Sequence, residues 1–528
     1  MSKVAEYLQE HVLGEISANV SVLAAASRDG SVLQMRPDLV MYPRVTNDIR
    51  KLTRFAWQLA EKGHVLPLTA RGGGTDDSGA AIGKGVAIEL SAHMNQILEF
   101  DPKQKLVRVQ PGLSSQALAN ALMLHGLAIP ALPVKPGETV GGAVANNATA
   151  LLSGKYGDMR AWTSQLEVVL ASGDLLQTGR LSKRELSKKK GLQTFEGEIY
   201  RNLDGLIEDN AQLIAEKIAG DAPDGTGYAA IAKVKHKDGS FDLTPLLVGS
   251  QGTLGIISEM ILKSNFAGAT IAACVVACAS KDLARDTLDA LRAFEPAFLE
   301  YYDSALFDIA AARGKKYAFS ENVKNGAVIV LGFDEFSERA RRNKLKRLAK
   351  MLGKVDAYVE GGDGEDAMAI LAVRDVVNYL HMPAGEGMSA PPLLDGAYIP
   401  PQRFEEFSNA VAALSERLHV ALPLTYHVLD DTIDTRPMLQ LGKVSDKQKI
   451  FKILDEYSNL IDQYGGHLVG SLGEGRLKAQ FAYKHLDGDV LDLYAAIKTI
   501  FDPYGLLNPG VKQAGNVRDL VAQLRADY

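Results

Sequence analysis

Three stretches of small residues are the places where this chain could do chemistry. Arg71-Gly72-Gly73-Gly74-Thr75-Asp76 follows directly on the apolar run Val65-Leu66-Pro67-Leu68. Consecutive glycines let the backbone enter the left-handed region and turn successive N–H groups toward one point, which makes a nest for an anion. The second stretch, Pro136-Gly137-Glu138-Thr139-Val140-Gly141-Gly142-Ala143-Val144-Ala145-Asn146-Asn147, joins a turn to a glycine pair and two adjacent amides. The third, Gly249-Ser250-Gln251-Gly252-Thr253-Leu254-Gly255-Ile256-Ile257, lies in an apolar strand context. Any one of them could be an ordinary tight turn. Together they describe a backbone that repeatedly approaches a large, phosphate-bearing ligand. The spacing fits neither GxGxxG nor GxxxxGK[ST], and no GxSxG elbow offers an acyl-transfer nucleophile. The ten histidines and two cysteines contain no CxxC, HExxH or close His pair, which speaks against a structural zinc site.

These stretches need elements to hold them. Leu39–Tyr42 reads as a strand limited by Pro43, and a helix from Thr46 carries Ile49, Leu52, Ala56 and Leu59 on one face before Gly63 stops it. Val65–Leu68 reads as the strand feeding the first glycine cluster. Alternation predicts further strands at Val86–Leu90 and Val107–Val109, and Ser114 opens a helix through Leu118 and Leu122 that ends at Gly126. Leu166–Leu170 and Leu175–Gln177 flank the hairpin turn Ser172-Gly173-Asp174. Strands and helices mix without strict βαβ alternation, so the class is α+β.

At 528 residues, two or three domains are expected. The character changes after Ser264, and residues 266–464 read as a second domain with loop-like breaks at Gly361–Gly364 and Pro383–Pro392. Lys188-Lys189-Lys190 reads as a solvated helix start, and the charges from Arg339 to Lys350 as the outer face of an amphipathic helix. Cys274 and Cys278 fall on one face of one strand and read as buried thiols. With 58 basic against 64 acidic residues, the net charge of −6 argues against a nucleic-acid partner. No signal peptide and no run of some 18 apolar residues are visible, so the expectation is a soluble, cytoplasmic protein without a transmembrane segment, with peripheral membrane contact left open.

The order and spacing of the three clusters, with Lys155-Tyr156-Gly157-Asp158 after the second, resemble the FAD-binding domain of the vanillyl-alcohol-oxidase superfamily, the para-cresol-methylhydroxylase (PCMH) type. Within it the chain is similar to D-lactate dehydrogenases and the glycolate-oxidase FAD subunit. Phe501-Asp502-Pro503-Tyr504-Gly505-Leu506-Leu507-Asn508-Pro509-Gly510 resembles that branch's closing motif. The resemblance covers about residues 36–265 and 465–512. It implies an N-terminal extension over 1–35, a two-subdomain PCMH-type FAD domain over 36–265, an inserted α+β cap or substrate domain over 266–464, and a C-terminal segment, 465–528, returning to the FAD site.

It also implies roles. Arg71, Gly72, Gly73, Gly74, Thr75 and Asp76 would surround the pyrophosphate. Thr139, Gly141, Gly142 and Asn146 would line the isoalloxazine and ribityl side, with Gly157 nearby. Gly252, Gly255 and Ile257 would meet the adenine half, and Asn508 would return to the flavin edge. The loop that links flavin to histidine in some relatives has Thr75 and Asp76 here, so FAD is expected to be non-covalent.

The pattern breaks where relatives place a divalent metal. Their GHxGDGNxH stretch aligns with Tyr426-His427-Val428-Leu429-Asp430-Asp431-Thr432-Ile433-Asp434: His427 is kept and the second histidine is Asp434. Their GEHG stretch aligns with Gly470-Ser471-Leu472-Gly473, or, three residues later, keeps the glutamate as Glu474 with Gly475 at the histidine. The histidine is missing either way, and no metal is expected. Arg374 falls where relatives hold the substrate carboxylate, His427 is the candidate polar group at the flavin face, and His467 is a speculative replacement base. The resemblance implies oxidation of a small polar alcohol, a 2-hydroxy acid such as D-lactate or glycolate, with electrons passed to an unknown acceptor. The alternatives are a flavin-binding electron-transfer or binding protein that has lost this chemistry, and an NADPH-dependent reductase, which would not share the Asn508-Pro509-Gly510 ending. Substrate identity, acceptor and oligomeric state are not legible.

Overall fold

The structure is a computed structural model that describes residues 2–268, 270–323, 325–380 and 387–525. It divides into two compact units. The first takes Met1–Ala150, Gly157–Asn265 and Ser471–Arg525; the second takes Leu151–Tyr156 and Phe266–Gly470.

The first unit holds two sheets. One is four-stranded, in the order Glu15–Ser17, Leu39–Tyr42, Val86–Glu89, Leu68–Arg71; its first pair is antiparallel and the others are parallel. Its core packs Leu39, Met41 and Ile88 against Ile49 and Leu52 of the helix Thr46–Ala60, with Leu506 and Leu507 from the C-terminal return. The expected strand Val65–Leu68 lies three residues further on, at Leu68–Arg71. The proline explains the shift: Pro67 has no N–H to give a ladder, and pairing begins at Leu68, whose N–H donates to the Leu506 carbonyl at 2.8 Å. The second sheet is five-stranded and antiparallel, in the order Ile97–Asp101, Leu106–Val109, Ile256–Lys263, Thr163–Val169, Leu175–Gln177. Gly173, at φ 84°, makes the expected turn between the last two.

The second unit is built on a seven-stranded antiparallel sheet, in the order Ala357–Asp363, Ala272–Cys278, Ala327–Phe333, Phe298–Asp303, Leu424–His427, Thr432–Thr435, Ala397–Tyr398. Cys274 and Cys278 are buried and unlinked on its second strand, as their spacing predicts. Three local expectations differ. Gly361–Asp363 ends a strand instead of forming a loop, because it pairs residue for residue with Ala272–Cys274. Arg341 is not on a solvated face; it is buried and paired with Asp363 at 2.8 Å. In the first unit, Lys188–Lys190 closes the helix Lys183–Lys190 and does not start it, which sets three cations against the negative helix end. Residues 383–386 of the expected break lie outside the described residues; 387–392 carry no helix. Among the described residues no helix is long and apolar enough to cross a membrane.

Candidate active site

The three small-residue clusters meet in the first unit around one cleft. The glycines are required by contact. A Cβ on Gly72 would lie 2.1 Å from Thr139 Oγ1, and one on Gly73 only 1.7 Å from the Gly137 carbonyl oxygen, so the first two clusters touch backbone to backbone. Thr139 caps the short helix Val140–Ala145, accepting from the Gly142 N–H at 3.2 Å. A Cβ on Gly141 would lie 2.6 Å from the Pro111 ring.

Of the residues expected here, Arg71, Gly72, Asp76, Thr139, Gly141, Gly142, Asn146, Gly252, Gly255 and Ile257 line the cleft. Gly73, Gly74 and Thr75 belong to the same loop without lining it, and Gly157, at φ 84°, makes a turn away from it. Asn508 stands behind the wall, 1% exposed. Its Nδ2 donates to the carbonyls of Ala80 and Gln251, both at 2.8 Å, and its Oδ1 accepts from Arg476 at 3.0 Å and Thr69 at 3.3 Å. It therefore ties the first cluster to the third. Asp76 also acts on the protein: one oxygen accepts from the Ser78 and Ala80 N–H groups and the other from Asn146 Nδ2 at 3.0 Å.

Gln251 was not anticipated. Its Nε2 donates to Asn146 at 3.0 Å and to Ser78 at 3.2 Å, while its Oε1 accepts from the Gly475 N–H. Gln251 is buried in the turn before the strand Ile256–Lys263, at a positive φ of 53°, and its signal in the sequence is a lone amide among glycines. Ala81, Leu90 and Pro111 also line the cleft and carry no polar signature to read.

In the second unit, four charged residues form a closed quartet. Glu300 and His427 face each other across neighbouring antiparallel strands. His427 Nδ1 lies 3.0 Å from Glu300 Oε1 and its Nε2 lies 3.3 Å from Asp434 Oδ2. Arg374, on the helical turn Ala372–Leu380, donates through Nε to Glu300 at 2.5 Å and through Nη2 at 3.3 Å. Tyr302 donates to the same carboxylate at 2.5 Å. Burial alone would raise the Glu300 pKa, but Arg374 and His427 outweigh it and hold the group below the usual carboxylate range. Burial likewise opposes charge on His427, yet Asp434 and Glu300 win and raise it well above an ordinary imidazole. Asp434 is held low against burial by His427, Arg436 and the Gly396 N–H. Arg374 and His427, the two residues expected to act on substrate, each keep 29% of their side-chain exposure.

In the C-terminal stretch the residues of both registers are engaged by the protein. Glu474 is wholly buried and binds Lys512 at 2.6 Å, Tyr483 at 2.9 Å and the Gly227 N–H at 2.7 Å, which makes it an anchor of the first unit. Leu472 packs against that unit's second core at φ 61°, an uncommon conformation for a non-glycine residue. His467 stacks on Tyr398, with ring centroids 5.6 Å apart. Among the described residues no group of three or more His, Cys, Asp or Glu is arranged to hold a metal.

Comparison with known proteins is consistent across sequence and structure. Residues 37–179 match the FAD binding domain model and residues 269–511 the C-terminal domain of FAD linked oxidases. D-2-hydroxyglutarate dehydrogenase of Escherichia coli is 28% identical over 96% of the chain, but the chain spans about half of that relative's length (51%). The glycolate oxidase subunit GlcD of Bacillus subtilis is 25% identical, over 93% of this chain and 92% of that one. D-lactate dehydrogenase of Archaeoglobus fulgidus is 25% identical over 89% and 90%. Among solved structures, 4-ethylphenol oxidase from Gulosibacter chungangensis superposes with a TM-score of 0.66 at 14% identity, covering 98% of both chains, and shares the fold.

Proposed function

We propose, since the chain belongs to the FAD-linked oxidase family, that it is an FAD-dependent oxidoreductase acting on a small polar alcohol, a 2-hydroxy acid such as D-lactate or glycolate. The observation that carries this reading is the single cleft on which all three small-residue clusters converge. FAD, when bound, supplies the acceptor for the carbinol hydride. The chain's own part in the first unit is to hold it: Gly72 and its neighbours allow close backbone approach to the pyrophosphate, and Thr139, Gly141, Gly142 and Asn146 border the ring side. No cysteine or histidine lies in the Arg71–Asp76 loop, so the cofactor is held without a covalent bond. Acid precipitation should leave a yellow supernatant; a yellow pellet would refute this.

In the second unit, Arg374 is the group for the substrate carboxylate. Glu300 takes its Nε and Nη2, which fixes the guanidinium and leaves Nη1 for an anion. His427 stands in the same quartet as a charged partner. The buried, unlinked thiols of Cys274 and Cys278 suit a reducing compartment such as the cytoplasm. The test is anaerobic titration of the purified yellow protein with D- and L-lactate, glycolate and D-2-hydroxyglutarate, followed by flavin bleaching. Bleaching by one of them supports the reading. The electron-transfer reading, favoured by Leu472 or Gly475 where relatives carry a histidine, requires that none bleaches and that an external reductant does.

A further inference from the structure

A carboxyl group beside the cofactor cleft has no role so far. Asp29 belongs to the segment Arg28–Ser31, which lies against the Arg71–Ala81 loop in the first unit. A Cβ on Gly30 would sit 2.4 Å from Asp77 Oδ1 and 3.0 Å from the Thr75 carbonyl oxygen, and Arg71 Nη1 donates to the Arg28 carbonyl at 2.7 Å. Asp29 is 7% exposed. It accepts from the Ser31 N–H at 3.0 Å, the Ser31 hydroxyl at 2.6 Å and, at a long 3.3 Å, from the N–H of Ala81, which lines the cleft.

Charge makes this placement costly. Asp76 stands in the same wall and lines the cleft. Three arginines are near, each committed elsewhere: Arg525 Nη1 donates to the backbone carbonyls of Asp29 and Ser31, both at 3.2 Å. Arg71 is committed to Glu89 at 3.2 Å and to the carbonyls of Arg28 and Ala81. Arg476, 8% exposed, donates to the carbonyls of Ile82 and Pro509 and to Asn508. Among the described residues no cation lies within ion-pair distance of Asp29 or Asp76. A pyrophosphate placed in the cleft would add two further negative charges next to them.

We propose that Asp29 is a positioning residue of the cofactor cleft whose carboxyl group is neutral when FAD is bound, so that FAD binding to the form with Asp29 ionised takes up one proton from solvent there. Asp76 accepts from Ser78 N–H and hydroxyl, Ala80 N–H and Asn146, and is the better supported of the two acids. Asp29 has only the Ser31 pair and the long Ala81 contact, so it is the one that gives up its charge. Burial first, and Asp76 second, raise its pKa to about 7, with Ser31 and Arg71 pulling the other way. The added charge of FAD raises it further. By linkage, affinity for FAD is constant at low pH and falls as pH rises from the ligand-free value toward the higher, bound value. The slope between them is about tenfold in Kd per pH unit.

This rests on the cleft being the FAD site. The experiment dilutes the holoprotein to equilibrium across a series of buffers from about pH 6 to about pH 9 and reads released FAD by its fluorescence. Wild type should release FAD increasingly above neutral pH. Asp29→Asn, which keeps the shape and removes the charge, should bind FAD with a Kd that no longer depends on pH in this window. Ser31→Ala removes a donor that favours the ionised form, so its release should begin at higher pH than wild type; this variant keeps the test open if Asp29→Asn does not fold. A flat wild-type profile, or an unchanged slope in Asp29→Asn or unchanged onset in Ser31→Ala, overturns the proposal. Absence of FAD binding at every pH would instead overturn the cofactor reading itself.

Discussion

The two units treat charge in opposite ways. In the first, the cleft is made from backbone, glycine and amide groups, and its charged residues are turned onto the protein: Asp76 onto loop amides, Arg476 onto carbonyls, Arg71 onto Glu89. In the second, charges are gathered into one place and cancelled there, two acids against two bases in the quartet of Glu300, Arg374, His427 and Asp434. The difference fits the tasks proposed for them. A large anionic cofactor needs many weak, fixed N–H contacts and close approach, whereas a small anion needs one or two strong groups held in place. Shape should therefore decide the fate of variants in the first unit, and charge balance the fate of variants in the second.

The largest effect should come from shape. In Gly73→Ala the new methyl group would stand 1.7 Å from the Gly137 carbonyl oxygen, backbone against backbone, with no side chain able to move aside. Ordinary overpacking costs about 1–3 kcal/mol, and this clash exceeds that because the loop itself must shift. The variant should purify colourless, with circular dichroism close to wild type; a normal flavin absorbance would show that the two clusters do not meet as described.

The second effect tests the exception in the first unit, its fully buried ion pair. Glu474 and Lys512 have 0% side-chain exposure. Glu474→Gln leaves an uncompensated ammonium, and such changes cost about 3–5 kcal/mol. Urea denaturation should show a loss of this order, and the double variant Glu474→Gln/Lys512→Met should recover part of it. If the single variant is as stable as wild type, the C-terminal return is not anchored there.

The contrast also explains what could be read in advance. The glycine clusters are local: each needs no partner to announce a tight turn, and their order along the chain carries the family resemblance. The strands with alternating apolar residues were legible for the same reason, since period two is visible within a few positions. The quartet was legible only in part: the resemblance pointed to Arg374, His427 and Asp434, but nothing pointed to Glu300. Its members, at 300, 374, 427 and 434, come together only through strand register and a helical turn, and Glu300 lies in the wholly buried run Phe298–Asp303, where periodicity gives no hint of a charge. Arg341, on a helix, follows for a related reason, because its partner Asp363 is on a strand outside that helix. Gln251 and Ala81 line the cleft because of loop geometry, which residue type alone does not reveal.

Charge balance in the second unit gives the third prediction. Glu300→Gln removes the partner shared by Arg374 and His427, at a cost of about 3 kcal/mol by analogy with other broken buried pairs. The pH dependence has two signs. Glu300 is held low, so its contribution is present above the unfolded carboxylate value and lost as pH falls toward its folded value. His427 is held high, so its contribution is present below the unfolded imidazole value and lost as pH rises through its folded one. The contribution of these two groups should be greatest between the unfolded carboxylate and imidazole values, and in Glu300→Gln the alkaline fall should end at a lower pH. Thermal unfolding across pH reads this directly; an unchanged alkaline limb would mean that His427 does not depend on Glu300.

The smallest expected effect is from removing metal: none. Carboxylate oxygens only accept hydrogen bonds, and both ring nitrogens of His427 face one, Nδ1 toward Glu300 at 3.0 Å and Nε2 toward Asp434 at 3.3 Å. Both nitrogens must therefore donate, and an imidazolium has no lone pair left to offer a cation. Glu300 is saturated in turn by Arg374, Tyr302 and His427. Of the other acids that the aligned stretches supply, Asp430 accepts from the Thr432 N–H and hydroxyl, Asp431 pairs with Arg292 and Glu474 is sealed against Lys512, while Leu472 has no ligating atom. A divalent ion would have to strip His427 of a proton and displace one of its carboxylate contacts before gaining a first ligand. EDTA treatment followed by elemental analysis should leave any hydroxy-acid-driven flavin reduction unchanged, with no stoichiometric transition metal in the purified protein. A bound metal whose loss abolishes turnover, and whose affinity falls in His427→Gln, would show that the quartet opens to take a cation.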